Sequence, residues 1–433
     1  MPMRLDSTSA DFEAAFARFL STKREISADV DAAVSAIIAR VRTEGDAALQ
    51  ALSAEFDNVD LGKVGLRITS AEIETAVASI DPDTRAALEQ ARDRITSHHQ
   101  RQRPSDDCYR DALGAELGSR WTAVESVGLY VPGGLASYPS SVLMNAVPAA
   151  VAGVPRVVMV VPSPRGELNP LVLAAADLAG VSEIYRIGGA QAVAALAYGT
   201  ATVKPVVKIV GPGNAYVAAA KRQVFGQVGI DSIAGPSEVL IIADKDNDPE
   251  WLAADLLAQA EHDMAAQSIL MTDDAALAAA VEAAVSRQLA VLPRGNIAGQ
   301  AWSEFGAVIK LRSLDEAPAL ADRIAAEHLE IATADPDALA GRIRNAGAIF
   351  LGAFTPEVIG DYVAGSNHVL PTARSARYAS GLGVLDFMKR TSILRLDAAA
   401  LRALAPAAMV LARAEGLEAH RRSVEVRLGK LTG

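Results

Sequence analysis

The sequence has little cysteine, no long apolar run and no excess of positive charge. It contains one cysteine, Cys108, in 433 residues, so no internal disulfide can form, which predicts a reducing compartment such as the cytoplasm. No apolar stretch approaches the roughly 20 residues that a membrane-spanning helix needs. The first residues carry charges where a signal peptide would have its apolar segment. We therefore expect a cytoplasmic protein without a membrane partner.

The charge balance and the apolar content narrow the class further. With 41 basic and 52 acidic residues the formal net charge is -11, which argues against a nucleic-acid partner, because phosphates require a positive surface. A hydrophobic content of 51% with 21% charged residues is typical of a folded protein with sizeable cores. A chain of this length suits two or three domains.

The pattern of apolar residues changes twice along the chain. Helical periodicity predicts helices through about residue 100. From about residue 120, short apolar runs that end in Gly- or Pro-rich turns alternate with Ala-rich helical stretches, as in βαβ units with parallel sheets. Residues 290–302 interrupt this pattern as an irregular connection, and after about residue 376 a helical tail follows. The predicted fold is α/β, with two Rossmann-like domains containing parallel sheets and with helical extensions at both ends.

Three glycine-rich turns follow predicted strands, where ligands of α/β sheets bind. They lie at residues 128–134, 188–191 and 210–216. The G-x-G-x-x-G pattern of many dinucleotide sites is absent. Each turn alone is more simply a structural connection, although the backbone at the N-cap Asn214 could hold an anion. Together with the ring of Tyr130 and the amide of Gln191, the three turns indicate a nucleotide site.

The histidines identify candidate chemical positions in the first three-quarters of the chain. We expect His98 and His99, in a polar helical stretch, to face solvent. Gln259 and His262 are spaced i, i+3 and would share one face of a predicted helix, where they could bind one metal. A capped core histidine is the alternative for His262.

A second group of candidates lies nearer the C-terminus. Glu327 and His328 are adjacent and would lie about 100° apart on a predicted helix, so they could reach one reacting centre as separate acid–base groups. His368 shares a loop rich in Gly and Asn with Asp361. His420 lies in the predicted tail.

Residue types and spacing alone leave the choice of metal ligands open. The pool is Gln259, His262, Asp361 and either His420 or His368. Such mixed nitrogen and oxygen donors favour zinc.

Several of these segments, taken together and in order, resemble the histidinol dehydrogenase family. The resemblance extends from about residue 25 to the end of the chain. It is carried by residues 128–134, 188–192, 211–215, 230–239, 255–262, 326–330, 360–362 and 367–372.

The resemblance implies an activity and a role for each candidate residue. Members of the family oxidise L-histidinol through an aldehyde to L-histidine, the last step of histidine biosynthesis, with NAD⁺ and one zinc ion per subunit. The implied catalytic residues are Glu327 and His328, and the implied zinc ligands are Gln259, His262, Asp361 and His420. The implied cofactor-binding residues are Tyr130, Gln191 and Asn214. The implied substrate-binding residues are Ser237, Gln259, His262, His328, Asp361, His368, Glu415 and His420.

The resemblance also implies a domain layout and a homodimer whose subunits share active sites. Residues 26–120 and 238–375 would form a first α/β domain with the zinc and the catalytic residues, and residues 121–237 a second domain on the NAD side. Residues 1–25 would be an N-terminal extension. Residues 376–433 would be a tail that contributes Glu415 and His420 to the partner subunit's site.

Three alternatives remain open at this stage. One is a relative that oxidises another small amino or sulfonated alcohol, such as sulfopropanediol. Another is a zinc hydrolase in which the glycine-rich turns are purely structural. The third is a non-catalytic α/β binding protein, which the density of acid–base residues argues against.

Overall fold

Two parallel sheets and one antiparallel sheet organise the chain in the computed structural model, which describes residues 1–21, 28–133, 138–233 and 235–431. The predicted boundary between residues 25 and 26, Gly134 of the first glycine-rich turn and the last two residues of the predicted tail lie outside the described residues.

Most strands of the two larger sheets follow the short apolar runs of the sequence, whereas those of the third sheet do not. In chain order they are β1 Met3–Asp6, β2 Asp107–Arg110, β3 Glu116–Ala123, β4 Val127–Tyr130, β5 Val157–Val160, β6 Glu183–Tyr185, β7 Lys208–Val210, β8 Gly229–Ile230, β9 Glu238–Ala243, β10 Gln267–Thr272, β11 Ala307–Lys310, β12 His328–Ala332, β13 Ala348–Leu351 and β14 Met388–Arg395.

The helices fill the segments between the strands and both ends of the chain. They are α1 Phe12–Ser21, α2 Ala28–Glu44, α3 Asp46–Phe56, α4 Leu61–Val64, α5 Ser70–Ser79, α6 Pro82–Gln100, α7 Pro139–Ala152, α8 Pro170–Leu178, α9 Gly189–Tyr198, α10 Ala215–Val224, α11 Pro249–Ala260, α12 Ala275–Leu289, α13 Gly295–Glu304, α14 Ala317–Ile324, α15 Pro336–Ala340, α16 Glu357–Tyr362, α17 Ala398–Ala414 and α18 Glu418–Leu431.

Both larger sheets are entirely parallel, as the alternating pattern predicts. One has the strand order β6-β5-β4-β7-β8 and the other β1-β11-β10-β9-β12-β13. Helices cover both faces of such sheets, so the central strands are apolar without alternation. The six residues of β9, Glu238–Ala243, are all buried. This confirms the α/β class with parallel sheets.

The ends of the chain differ from the prediction of purely helical extensions. β1 pairs in parallel with β11 and forms an edge of the six-stranded sheet. β14, within the predicted helical tail, pairs with β3 in an antiparallel sheet of order β14-β3-β2. Its residues are mostly exposed, so no apolar alternation marked it as a strand. The segment 290–302, predicted to be irregular, contains most of α13.

Helices α2 to α6 pack on the five-stranded sheet, whereas α1 packs on the six-stranded sheet. Val34 and Ile38 of α2 share a core with Ile187 and Ile209, and α5 and α6 share another core with α7 and α8. The expected grouping of residues 26–120 with residues 238–375 therefore differs from the packing of α2 to α6. Helical periodicity identifies an apolar face but not the sheet that will cover it.

The two adjacent histidines of α6 lie in different environments. His99 is fully buried and its Nδ1 lies 2.8 Å from the carbonyl oxygen of Ile95, whereas His98 is exposed. The prediction that both face solvent was wrong for His99, because one face of α6 packs inward.

None of the described helices is long and apolar enough to cross a membrane.

Candidate active site

A cleft of about 500 Å³ lies between the carboxyl ends of strands of the five-stranded sheet and the amino ends of β9 and β12 of the six-stranded sheet. The turn that follows β7, Gly211 to Asn214, lines one side. The other side is formed by segments around β9, β12 and α16, and residues 368–372 complete the lining. Ligands of parallel α/β sheets bind beyond the carboxyl ends of strands, which here is the side formed by the five-stranded sheet.

Glu327 and His328 lie at the base of the cleft, at the start of a strand. His328 is the first residue of β12, so the prediction of a helix here was wrong. Both residues are buried, and Nδ1 of His328 is 3.9 Å from Oε2 of Glu327. The imidazole Nε2 lies 3.4 Å from Oδ1 of Asp361. Adjacent residues of a strand usually point apart, but here both reach the same site.

Burial changes the acid–base behaviour of this pair. Removal from water raises the pKa of Glu327 to about 7. Oε2 of Glu327 accepts a hydrogen bond of 3.0 Å from the backbone N–H of Glu238, which holds the carboxyl in place. Burial disfavours a charged imidazole, but the Glu357 and Glu327 carboxylates outweigh that effect and raise the pKa of His328 well above its usual range. The site therefore contains a carboxyl group that titrates near neutrality, as a general base or acid should.

A cluster of carboxyl groups near His328, formed by Glu357, Glu330 and Asp255, was not identified from the sequence. Oε2 of Glu357 lies 3.4 Å from Nδ1 of His328, and the backbone N–H of Glu357 donates a 2.7 Å hydrogen bond to Oε1 of Glu330. Burial raises the pKa of Glu330 to about 8, and that of its neighbour Asp255 to about 6. The available signal was the charged Glu330 within an otherwise apolar strand, which is rare unless the charge is partnered.

Gln259 and His262 are close in space, but not as residues of one helix face. α11 ends at Ala260, and His262 lies in the turn that follows. Gln259 is fully buried, and neither its amide oxygen nor its amide nitrogen has a hydrogen-bond partner within the described part of the chain. Such a buried, unpaired amide is costly unless another group completes its bonding. His262 lines the cleft and interacts electrostatically with Asp361.

His368 and Ser237, for which the resemblance implies contacts with substrate, both line the cleft. The imidazole of His368 is held at both nitrogens: Nδ1 is 3.0 Å from the Asp361 carbonyl oxygen, and Nε2 is 3.3 Å from Oγ of Ser141. Ser237 lines the same cleft. The two contacts of His368 fix the orientation of its ring beside Asp361.

The donor set on one chain suits a metal but is incomplete. Among residues 1–21, 28–133, 138–233 and 235–431, no group of three His, Cys, Asp or Glu side chains is arranged to hold a metal ion. His262 and Asp361 supply two such donors, and the amide of Gln259 would be a third of another type. Zinc accepts such nitrogen and oxygen ligands and prefers four of them.

Glu415 and His420 lie outside the cleft of their own chain. Glu415 follows α17 and His420 lies in α18, and both are exposed. The two helices pack on each other at the end of the chain. Neither residue lines the cleft.

The three glycine-rich turns converge, although only one of the predicted side chains is on the cleft surface. Asn214 lines the cleft and caps α10, where its Oδ1 accepts hydrogen bonds from the backbone N–H groups of Tyr216 and Val217. Tyr130 is buried, and its hydroxyl oxygen accepts a 3.0 Å hydrogen bond from the N–H of Gly189. Gln191 is also buried, within α9.

Comparisons with known proteins agree on one family. The family model described as "Histidinol dehydrogenase" matches residues 20–428. The chain is 68% identical over 428 residues to the histidinol dehydrogenase of Brucella abortus (strain 2308), which covers 99% of this chain and 100% of that protein. It is 70% identical over 428 residues to that of Nitrobacter winogradskyi, with the same coverage. A crystal structure of histidinol dehydrogenase from Elizabethkingia anophelis, 34% identical, superposes with a TM-score of 0.95 over 100% of this chain and 99% of that one.

Proposed function

Since this chain belongs to the histidinol dehydrogenase family and is an oxidoreductase of histidine biosynthesis, we propose that it oxidises L-histidinol through L-histidinal to L-histidine with NAD⁺ and zinc. The observation that carries the chemistry is the buried pair Glu327 and His328 at the base of the cleft, beside Asp361. It provides two proton-transfer groups where the reaction needs two different proton transfers.

We propose that Gln259, His262 and Asp361 hold the zinc ion. The support is twofold: the buried amide of Gln259 has no hydrogen-bond partner among the described residues, and the side chains of His262 and Asp361 interact electrostatically. Zinc bound there would fix the imidazole and amine of histidinol, and so orient its hydroxyl group. Ser237 and His368 then contact the substrate from the side of the cleft that they line.

The NAD⁺ site belongs to the glycine-rich turns in this proposal. The backbone of residues 211–214 faces the cleft at the start of α10, where a helix N-terminus favours the negative charge of a pyrophosphate. NAD⁺ accepts the hydride in each of the two oxidations. Tyr130 and Gln191 support this site from beneath its surface, since both are buried.

In the first oxidation His328 accepts the hydroxyl proton of histidinol at Nε2. Its Nδ1 lies 3.2 Å from the carbonyl oxygen of Glu238, so Nε2 is the ring nitrogen that remains to accept a proton. Nearby carboxylates favour the protonated ring. A cation held by Asp361 would weaken the attraction between that carboxylate and the imidazolium, and would thereby lower the pKa of His328.

In the second oxidation Glu327 accepts a proton from the water that adds to the aldehyde. Its pKa of about 7 means that a substantial fraction is ionised at neutral pH. The hydrogen bond from the Glu238 N–H orients the carboxylate for this role. Removal of that proton leaves the hydrate as a monoanion, from which loss of a hydride would give the carboxyl group of L-histidine.

We propose a homodimer in which Glu415 and His420 complete the partner subunit's site. The support is that both residues are exposed and outside their own cleft, while Gln259, His262 and Asp361 would supply three ligands to an ion that prefers four. A cytoplasmic location is part of the same proposal and agrees with Cys108, which is free and exposed.

The test is NADH formation from L-histidinol by metal-depleted protein before and after zinc is added. Two NADH per histidinol, dependent on zinc, is the expected result. Turnover of another amino or sulfonated alcohol without turnover of histidinol would overturn the substrate, and hydrolysis without NAD⁺ would overturn the chemistry.

A further inference from the structure

Lys221 and Asp231 form a buried ion pair beside the cleft, and the chemistry proposed above does not use it. Their side chains are 2% and 5% exposed, and Nζ of Lys221 contacts Oδ1 of Asp231. A buried ion pair contributes little net stability compared with apolar side chains of the same volume, because both charges lose their hydration. The contribution of this ion pair therefore lies in the backbone conformation that it fixes.

That geometry concerns one residue, Gly211, at the end of β7. Nζ of Lys221 donates a 2.9 Å hydrogen bond to the carbonyl oxygen of Gly211. Oδ2 of Asp231 accepts a 2.8 Å hydrogen bond from the N–H of the same residue. The ion pair thus binds both polar backbone groups of Gly211, one from α10 and the other from the residue after β8.

Gly211 is also the point at which the first and third glycine-rich turns meet. Its φ of +110° is disfavoured for residues with a side chain, and a Cβ at this position would collide with the carbonyl oxygen of Tyr130. The residues that follow, Pro212 to Asn214, line the cleft. The direction of the cleft-facing backbone is therefore set at Gly211.

We infer that Lys221 and Asp231 are positioning residues for the dinucleotide, which act by clamping the turn of residues 211–214 in the conformation that receives it. The inference rests on the proposed use of NAD⁺. Nζ of Lys221 is occupied by Asp231 and by the Gly211 carbonyl, so Lys221 acts through the turn and not as a phosphate ligand. A turn held in advance lowers the cost of ordering it on binding.

The test uses the double variant Lys221→Met/Asp231→Asn, which removes both charges and keeps the side-chain volumes similar. We expect the Kd for NAD⁺, measured by titration calorimetry on the zinc-loaded dimer, and the KM for NAD⁺ to rise at least tenfold. The KM for histidinol, the zinc content and the far-ultraviolet circular dichroism should stay within twofold or unchanged. A purely structural pair would not separate the two substrates in this way.

The matched control is the ion pair of Arg156 and Glu183 in the same sheet. Two hydrogen bonds of 2.9 and 2.7 Å join these side chains at the starts of β5 and β6, the edge opposite the cleft. Arg156→Met/Glu183→Gln should lower the melting temperature and leave the Kd for NAD⁺ unchanged.

The outcomes separate this inference from the proposed function. If the wild-type protein does not bind NAD⁺, the proposed function fails. If the wild type binds and the folded double variant binds equally well, or if zinc, histidinol and NAD⁺ are all lost in proportion, the positioning role is wrong. Should the double variant not fold, Asp231→Asn carries the test, because asparagine keeps an acceptor for the Gly211 N–H while the ion pair is lost.

Discussion

Replacing Glu327 with glutamine should make the protein more stable and less active. Glutamine has nearly the same shape, and its amide oxygen can still accept the hydrogen bond from the Glu238 N–H. It carries no charge, so the cost of burying a carboxylate disappears. The catalytic role of Glu327 would then require a negative charge that lowers the stability of the folded protein.

The size and the pH dependence of the effect follow from the pKa. Burial raises the pKa of Glu327 from 4.5 to about 7, which corresponds to about 3 kcal/mol. The folded pKa lies above the unfolded one, so between pH 4.5 and 7 the folded state binds more protons, and stability falls as the pH rises. The Glu327→Gln variant does not lose stability in this way as the pH rises. Its advantage is near zero at pH 4.5 and approaches the full value above pH 7.

The assay is thermal unfolding of both proteins in EDTA at pH 5 and at pH 8.5, followed by circular dichroism. For a chain of 433 residues, about 3 kcal/mol corresponds to an increase in Tm of about 3 °C at pH 8.5 and little change at pH 5. Oxidation of added L-histidinal should fall by about 10² to 10⁴, the usual contribution of a general base. A variant that melts below the wild type at pH 8.5 would refute the electrostatic reasoning, and unchanged oxidation of histidinal would refute the catalytic role.

Three further predictions test other parts of the site. Asp361→Asn should reduce bound zinc, measured by atomic absorption after dialysis, and metal content equal to the wild type would count against Asp361 as a ligand. His420→Ala and Glu327→Gln homodimers should each be nearly inactive, whereas heterodimers reconstituted from both should regain activity at one of their two sites; no recovery would contradict donation across the interface. Gly211→Ala should destabilise the protein by about 2 kcal/mol or more, because it combines a positive φ with a collision at the Tyr130 carbonyl, and an unchanged Tm in a melting experiment would show that the turn can adapt.

The predictions of strands from sequence were most reliable where a run of apolar residues was buried on both faces. β4, β5, β9 and β10 all follow such apolar runs, and all their residues except the half-buried Val157 are buried in the two parallel sheets. β14 was missed because its residues are largely exposed. β12 was misread as a helix, since Glu327, His328 and Glu330 introduce charges into an apolar run.

The candidate residues were found by type, but their arrangement was not. Asp361, His262 and His368 line the same cleft, and their roles there stay predictions. Glu357 and Lys221 were overlooked, because neither lies in a motif and an isolated charge in a sequence is most often a surface residue.

Composition and local pattern determined what kind of molecule this is: an acidic α/β protein with parallel sheets, glycine-rich turns at strand ends and a polar set of histidines and carboxylates. These properties depend on neighbouring residues, so they can be read along the chain. Only the tertiary structure decided that Glu357 lies behind His328, that Lys221 and Asp231 hold Gly211 from opposite sides, and that α2 to α6 pack on the five-stranded sheet. Contacts between residues far apart in sequence depend on how the sheets and helices pack, and burial in that packing shifts the pKa of a carboxyl group such as Glu327 toward neutrality.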